Sequence, residues 1–242
     1  MNRLRFWGVR YGRSLLFLAW LLSLVGLLPG GAYEAFLRPE FGVLLAVAGL
    51  ALVGFLFVEM GRDPAQEGRG FSEFVRVLIL AVPLAYLSIG REVALDSGDF
   101  EKRWTGPAGD SVVLPPEALA AVPADAGTKA QEASLVGLCW NSEAYEGKEV
   151  AVEGMLRHEP DVAARYGGNG WLLYRFVVAC CAADAQPVAV MLTGGMATNW
   201  PGDAWARVTG RFTLRPDRPR PVPIMDVGAV DSIPKPRNPY LY

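Results

Sequence analysis

One uninterrupted apolar run constrains this chain more than any other feature of its sequence. Residues 41–60 contain no charged side chain until Glu59. A helix needs about 20 apolar residues to cross the roughly 30 Å hydrocarbon core of a bilayer, and this run supplies them. Because a helix pairs its backbone N–H and C=O groups within the segment, it satisfies them where no water is present. The run therefore predicts a membrane-spanning helix.

Two shorter apolar segments flank this run. Residues 14–28 precede it, and residues 74–89 follow it with Pro83 inside them. Arginines at their ends can extend toward the lipid headgroups, so both segments are expected to span the membrane despite their length. The prediction is a transmembrane region of about three helices over residues 1–90. The first segment also has the arginine-rich start and short apolar core of a cleaved signal peptide, and this alternative stays open.

The distribution of arginine predicts the orientation of these helices. Four arginines and no acidic residue precede the first segment. The loop at residues 29–40 has one arginine and two glutamates, and the loop at residues 61–73 has two arginines. Cytoplasmic loops carry the excess of Lys and Arg, so the order is inside, outside, inside. This predicts a multi-pass protein of the cell (inner) membrane, with its N-terminus in the cytoplasm and its C-terminal domain extracytoplasmic, or periplasmic.

The remainder of the chain has the composition of a soluble domain. Residues 91–130 combine Gly, Pro, Ala and acidic residues without a sustained period, which is typical of a linker. Residues 131–242 begin with a short predicted helix and continue with segments rich in β-branched and aromatic residues. There are five of these segments, at residues 148–157, 171–180, 187–193, 204–214 and 223–230. Short strands separated by Gly- and Pro-rich turns predict an all-β domain, a small barrel of the oligonucleotide/oligosaccharide-binding (OB) type.

Charge and residue counts exclude several classes of function. The formal net charge is -2, which gives none of the basic surface that nucleic acid binding requires. One histidine and three cysteines do not form a disulfide framework. The sequence has no Gly-x-Ser-x-Gly motif, phosphate-binding glycine loop or carboxylate pair at a telling spacing. We therefore expect neither an enzyme nor a nucleic acid partner.

The densest chemical signal lies at residues 175–187, where a predicted strand passes into a turn. Adjacent strand residues point to opposite faces, so Cys180 and Cys181 can act together only if the chain leaves β geometry there. Three interpretations stay open. In the first, one cysteine packs as a small hydrophobe and the other lies in a turn. In the second, the two form a strained vicinal disulfide in an oxidising compartment. In the third, both thiolates bind a soft metal or metalloid ion together with Asp184.

Two more predictions concern the same turn. A closed zinc site would need every cysteine, including Cys139, together with His158, but no Cys-x-x-Cys spacing favours it. His158 is instead predicted to lie in an exposed loop. Asp184 and Arg175 are expected to pair with each other and fix the turn.

The motif within residues 175–187 resembles one found in the YcgQ-like bacterial membrane proteins, which are described as subunits of a two-component permease. The matching positions are Arg175, Phe176, Cys180, Cys181, Ala182, Ala183, Asp184 and Pro187. Further similarities are a Gly…Tyr…Pro element at Gly31, Tyr33 and Pro39, a Trp-Val-x-Val-x-Gly-like strand at residues 205–210, and a Pro-x-x-Pro-Tyr ending at residues 236–242. The likeness covers essentially the whole chain.

This resemblance implies an accessory subunit that acts beside a multi-helix permease of the organoarsenical-permease-like class in the same lipid bilayer. Its helices would pack on the permease, and its outer domain would bind, gate or hand over the substrate. The resemblance carries over no catalytic residue. The alternative is an extracytoplasmic thiol- or metal-binding protein that works alone. By default no cofactor is expected, and a soft metal ion is the one that the cysteines would hold.

Overall fold

Two compact units divide the chain, residues 1–94 and residues 95–242. The computed structural model describes residues 2–29, 31–61, 75, 78–83, 95–104, 130–195, 200–217 and 221–242.

The N-terminal unit contains two long helices, α1 (Asn2–Leu27) and α2 (Gly42–Met60). A 3-10 turn at Pro39–Phe41 continues directly into α2, and the Tyr33 hydroxyl donates to the Pro39 carbonyl at 3.0 Å in the connection before it. The two helices pack together, with the rings of Phe17 and Phe55 stacked at 6.1 Å. No residue of α2 is buried. The unit therefore presents an apolar helix that packs against α1 but has no fully buried side chain.

The structure supports one of the three predicted membrane spans by length and composition. Among the described residues, only the helical stretch Pro39–Met60, 22 residues long, is long and apolar enough to cross a membrane. The apolar part of α1, Ser14–Leu27, is shorter because arginines occupy its preceding turns. Of the predicted third segment, residues 75 and 78–83 are described as helical, and the rest of residues 74–89 lies outside the described residues. The described part thus has one candidate span, not three.

The C-terminal unit is a mixed β-barrel with short helices around it. Its strands are β1 (Gln131–Glu132), β2 (Glu149–His158), β3 (Trp171–Val177), β4 (Gln186–Gly194), β5 (Trp205–Arg215), β6 (Val222–Ser232) and β7 (Tyr240–Leu241). Its helices are α3 (Ser97–Arg103), α4 (Leu135–Trp140) and α5 (Pro160–Tyr166). The five long strands coincide with the five predicted segments, which confirms the predicted small barrel.

The five long strands close on themselves. Their order is β2-β5-β6-β4-β3, and β3 pairs again with β2. All of these pairings are antiparallel except that of β4 with β6. The short strands β1 and β7 extend the sheet by pairing in parallel with β2 and β3. Closure leaves the long strands without free edges, which would otherwise be sites of aggregation.

Two glycines allow the strands to bend and approach each other, as their position within predicted strands indicated. A Cβ atom at Gly210 would lie 2.2 Å from the Asp226 carbonyl oxygen, and the β5–β6 register is irregular at this point. A Cβ atom at Gly154 would lie 2.9 Å from the Tyr174 carbonyl oxygen. Any larger residue would push the paired strands apart at these two positions.

Both faces of β3 are buried, which explains its nearly continuous apolar sequence. Leu173 belongs to the cluster that also contains residues of α4, whereas Tyr174 belongs to a second cluster on the other side of the sheet. The second cluster includes Phe100 of α3, which is fully buried. Residues 95–104, within the predicted linker 91–130, therefore pack on the barrel because Phe100 finds an apolar site there. Residues 105–129 of that linker lie outside the described residues.

Candidate functional site: a dithiol loop between β3 and β4

The loop at residues 178–185 brings the two adjacent cysteines to one side. β3 ends at Val177, three residues earlier than its predicted segment, and a 3-10 turn at Ala182–Asp184 leads into β4. The backbone thus leaves β geometry, as the joint action of both thiols requires. Their sulfurs lie 3.6 Å apart, and both cysteines are free thiols. Cys180 is exposed and Cys181 is half-buried.

The carboxylate of Asp184 organises this loop from inside. One of its oxygens accepts the Ala179 N–H at 2.8 Å, and the other accepts the N–H groups of Cys180 and Cys181 at 2.7 and 3.2 Å. Burial raises the pKa of Asp184, but hydrogen bonds from the Cys180 thiol and these three N–H groups outweigh it, so the net pKa is lowered. Asp184 is therefore a carboxylate at neutral pH and holds the backbone that carries both sulfurs.

Arg103 of α3 fixes the same loop from outside. Its Nη1 donates to the carbonyl oxygens of Ala182 and Ala185 at 3.0 and 2.8 Å. These two carbonyls stand on either side of Asp184 in the sequence. Ala185 is fully buried, while Cys180 is exposed. The loop thus has an anchored base and a sulfur-bearing tip open to solvent.

The charge of Asp184 keeps the nearby thiol protonated. Its side-chain hydrogen bond with Cys180, followed by that of Cys181, raises the pKa of Cys180 from 9.0 to about 12. A metal ion must displace this proton before it binds sulfur, so binding releases a proton. Once bound, the positive ion would neutralise the repulsion between a Cys180 thiolate and the Asp184 carboxylate.

The spacing of the sulfurs suits chelation better than disulfide formation. In a tetrahedral complex with metal–sulfur bonds of about 2.3 Å, two thiolates lie about 3.8 Å apart. The observed separation is 3.6 Å, so an ion could be accepted with little movement. A disulfide would require the sulfurs to approach to about 2.05 Å. One ligand atom from each of Cys180, Cys181 and Asp184 lies within 4.8 Å of the others, which makes three donors and leaves a coordination position open.

The other predicted zinc ligands do not join this group. Cys139 packs against the barrel core and its sulfur donates to the Ala189 carbonyl at 3.7 Å. Burial raises the pKa of Cys139 to about 12. His158 is the last residue of β2, exposed at the strand end, where its Nε2 lies 2.9 Å from the Asn169 carbonyl. Within the described part of the chain, Cys180, Cys181 and Asp184 are the group that could hold a metal ion.

The expected pair of Arg175 and Asp184 is wrong. Arg175 donates instead to the carbonyls of Asn238, Pro239 and Tyr240, and its guanidinium lies 5.3 Å from the Trp205 ring centroid. The cause is that Asp184 is already engaged by the backbone of its own loop, whereas the C-terminal carbonyls need a donor. Arg175 therefore holds the C-terminal segment against the barrel.

The remaining motif residues shape the loop and its supports. Phe176 is fully buried in the cluster that contains Tyr174 and Phe100. In the β3–β4 ladder it is paired with Pro187. Ala182 and Ala183 form the 3-10 turn before Asp184. Their small side chains suit a tight turn, and no functional group of theirs is available for chemistry. The motif thus consists of two thiols and the residues that support the loop carrying them.

Sequence reasoning missed Arg103, because it lies in the segment interpreted as linker. A local signal for α3 was present, since Asp96 followed by Ser, Gly and Asp is a helix N-cap pattern. In the structure the Asp96 side chain accepts the N–H groups of Gly98 and Asp99. Four residues beyond Asp96, Phe100 supplies the apolar contact that a linker would lack.

Comparison with known proteins finds a family match for part of this chain. No curated protein matches it. The expected likeness to permease subunits therefore stays a prediction. A family match covers the region that contains the five long strands and the dithiol loop but not α3. Residues 133–242 match the DUF1980 C-terminal domain.

Proposed function

We propose that this chain is a membrane-anchored protein whose barrel domain binds a thiophilic metal or metalloid ion at Cys180 and Cys181. The observation that carries the proposal is a pair of free sulfurs 3.6 Å apart on an exposed loop that Asp184 holds in place. Soft thiolates select soft ions, whereas Mg²⁺ and Ca²⁺ prefer oxygen ligands. Asp184 serves first as the brace of the loop and second as a third ligand.

The open coordination position favours a site that exchanges its ion. A closed structural site would use four protein ligands, and this loop offers three at most. Solvent or a donor from a partner protein would complete the coordination. That arrangement suits capture and release, which is the activity expected of a protein that hands over a substrate.

The topology supports an OB-like assignment of the barrel. In chain order its long strands pair first with second, second with third, third with fifth, fifth with fourth and fourth with first, and the third and fifth are parallel. This is the strand order of OB barrels, which often bind ligands through the loops after their first and fourth strands. The dithiol lies instead after the second long strand. Together with the formal charge of -2, this position disfavours nucleic acid as the ligand.

The proposed location is the cell membrane, with the barrel outside the cytoplasm. The apolar stretch Pro39–Met60 supports an anchor. The inside N-terminus rests on the arginine counts of the loops, and the two further spans rest on the apolar segments at residues 14–28 and 74–89. An alkaline phosphatase fused after Tyr242 should be active in a bacterial host. An inactive fusion alongside a fluorescent cytoplasmic reporter at the same position would overturn this orientation.

The proposed partner is a multi-helix permease in the same membrane, as the sequence resemblance implies. The uncovered apolar side chains of α2 are compatible with packing on other helices. Purification from native membranes distinguishes this accessory role from the stand-alone alternative. A permease recovered in stoichiometric amount would support the accessory role. The protein recovered alone with bound metal would support the stand-alone one.

Titration with Cd²⁺ tests the ion site directly. Full-length reduced protein in detergent should gain the ultraviolet charge-transfer absorption of thiolate-bound Cd²⁺, and excess Mg²⁺ should not suppress it. The double variant Cys180→Ser/Cys181→Ser should lose this signal, and the matched control Cys139→Ser should keep it. Equal signals from wild type and the double variant would refute the proposed site.

A further inference from the structure

We propose that Arg103 is a positioning residue of the dithiol loop and couples helix α3 to ion binding. This inference rests on the proposed function of Cys180 and Cys181. Arg103 lies outside the region that matches the DUF1980 C-terminal domain, so the ion site uses a residue from the preceding segment of the chain.

The contacts of Arg103 show how it acts on the loop. Its Nη1 reaches the Ala182 carbonyl at 3.0 Å and the Ala185 carbonyl at 2.8 Å. Asp184, which gathers the N–H groups under both sulfurs, stands between these two carbonyls in the sequence. Arg103 and Asp184 therefore bind complementary backbone groups of the turn. Arg103 donates to its carbonyl oxygens, and Asp184 accepts from its N–H groups. Removing either should loosen the relative position of the two sulfurs.

Helix α3 itself has a fixed place on the barrel. The fully buried Phe100 ring packs against Trp104 at 4.7 Å and against Tyr174 at 4.5 Å. At the start of α3, Arg157 donates to the Ser97 carbonyl at 2.6 Å, and the Ser97 N–H donates to Asp203 at 3.3 Å. Arg103 thus reaches the loop from a docked helix, and its brace depends on that docking.

Coupling follows from linkage. If docked α3 favours the loop geometry that binds the ion, then a bound ion must favour docked α3 by the same factor. Helix α3 comes first in the barrel unit, directly after the N-terminal unit in sequence. Ion binding at the loop would thereby stabilise the docked position of α3, the first helix of the barrel unit.

Cd²⁺ binding by full-length variants in detergent tests the positioning role. Arg103→Gln removes the charged donor and should weaken Cd²⁺ affinity about tenfold or more. Arg103→Lys keeps the charge with a shorter donor and should recover part of that loss. The matched control is Lys102→Gln, because the neighbouring Lys102 side chain is 78% exposed and forms only a 4.0 Å ion pair with Asp99 in the described contacts. It should bind Cd²⁺ as wild type does.

Hydrogen exchange of the wild type supplies a second readout, which does not depend on the folding of the Arg103 variants. Cd²⁺ should slow amide exchange within α3, and it should not do so in Cys180→Ser/Cys181→Ser. Arg103→Gln with the affinity of Lys102→Gln, or α3 exchange indifferent to bound Cd²⁺, would overturn the coupling while leaving the ion site standing. A wild type that binds no Cd²⁺ would overturn the proposed function and this inference with it.

Discussion

Helix α2 and strand β3 are both nearly continuous apolar sequences, yet they meet opposite environments. No residue of α2 is buried, whereas every residue of β3 except Arg175 is buried. The strand is 7 residues long and receives cover on both faces from its own chain. The helix is 19 residues long and packs on α1, but this contact buries none of its residues. An apolar sequence therefore indicates that its side chains need an apolar environment. The length and the hydrophobic period of the segment indicate whether the protein core or a lipid bilayer provides that environment.

The difference separates two kinds of stability. β3 is stabilised by side chains of its own domain, so its energetics are those of a close-packed core. The apolar side chains of α2 match the proposed lipid environment. In that environment, exchanging lipid for protein neighbours gives no hydrophobic gain in free energy. The same substitution should consequently have very different effects in the two regions.

Leucine-to-alanine substitutions provide the largest expected contrast. Leu173 in β3 is 0% exposed and Leu50 in α2 is 73% exposed. Leu173→Ala should lower the free energy of unfolding of the barrel by about 3–4 kcal/mol, because it removes transfer energy and leaves a cavity. Leu50→Ala should leave barrel unfolding unchanged. Near-ultraviolet circular dichroism of the full-length protein in detergent, followed through denaturant titration, measures both effects. Equal losses would break the comparison.

The segment 95–104 tests where the barrel unit begins. A linker residue should tolerate substitution, but Phe100 is fully buried against Tyr174. Phe100→Ala should destabilise the barrel by about 2–3 kcal/mol, less than a central core position because a surface helix can shift to fill the gap. Lys102→Ala in the same helix is the control and should change little. Wild-type stability of Phe100→Ala would return this segment to the class of linker.

The barrel could be predicted from sequence because its signals are local and repeated. Five β-rich segments separated by turns predict the five long strands, and Gly210 marks the irregular register of β5. The sequence predicts three membrane spans, but the described residues contain one helix long enough to span, because the apolar part of α1 is too short by itself. The sequence of a short apolar segment does not show whether its flanking arginines reach the headgroups and so allow it to span.

The candidate site was predicted in part, and the reason is geometric. Adjacency in sequence identified Cys180 and Cys181, and a strand-to-turn junction indicated where they could converge. The partners of Asp184 could not be predicted, because its three N–H donors depend on the conformation of the turn. Arg103 is distant in sequence from the loop, so only the docking of α3 reveals its contact.

The reactivity of Cys180 sharpens the comparison, because a side chain can be exposed to solvent and still react slowly. Cys180 is exposed, but its pKa is raised from 9.0 to about 12 by the hydrogen bond with Asp184 and then by Cys181. Because a raised thiol pKa means less thiolate, alkylation near neutral pH should be on the order of 30-fold slower than for an ordinary thiol. The rate should still be rising tenfold per pH unit at pH 9 and above. Mass spectrometry after iodoacetamide treatment measures it.

Two variants control this alkylation experiment. Cys139→Ser provides a background without the third thiol, which is half-buried and has a raised pKa. Asp184→Asn removes the carboxylate that disfavours the thiolate and should accelerate alkylation of Cys180. A wild-type rate that levels off near pH 8 would contradict the raised pKa and remove Asp184 as the group that controls this thiol.

The smallest expected effect concerns the ion pair at the outer side of α3. Arg157 lies 3.8 Å from Glu101, whose side chain is 78% exposed. Solvent screens such a pair, so Glu101→Gln should change the free energy of unfolding by less than about 0.5 kcal/mol. The adjacent Phe100→Ala should exceed it several-fold, because burial of an aromatic ring is what docks the helix. Denaturant titrations at low and at high salt would measure both. A loss from Glu101→Gln comparable to that of Phe100→Ala, and abolished by salt, would show that α3 docks by charge. The docking of α3 on β3 would then depend on charge rather than on the apolar burial that distinguishes β3 from α2.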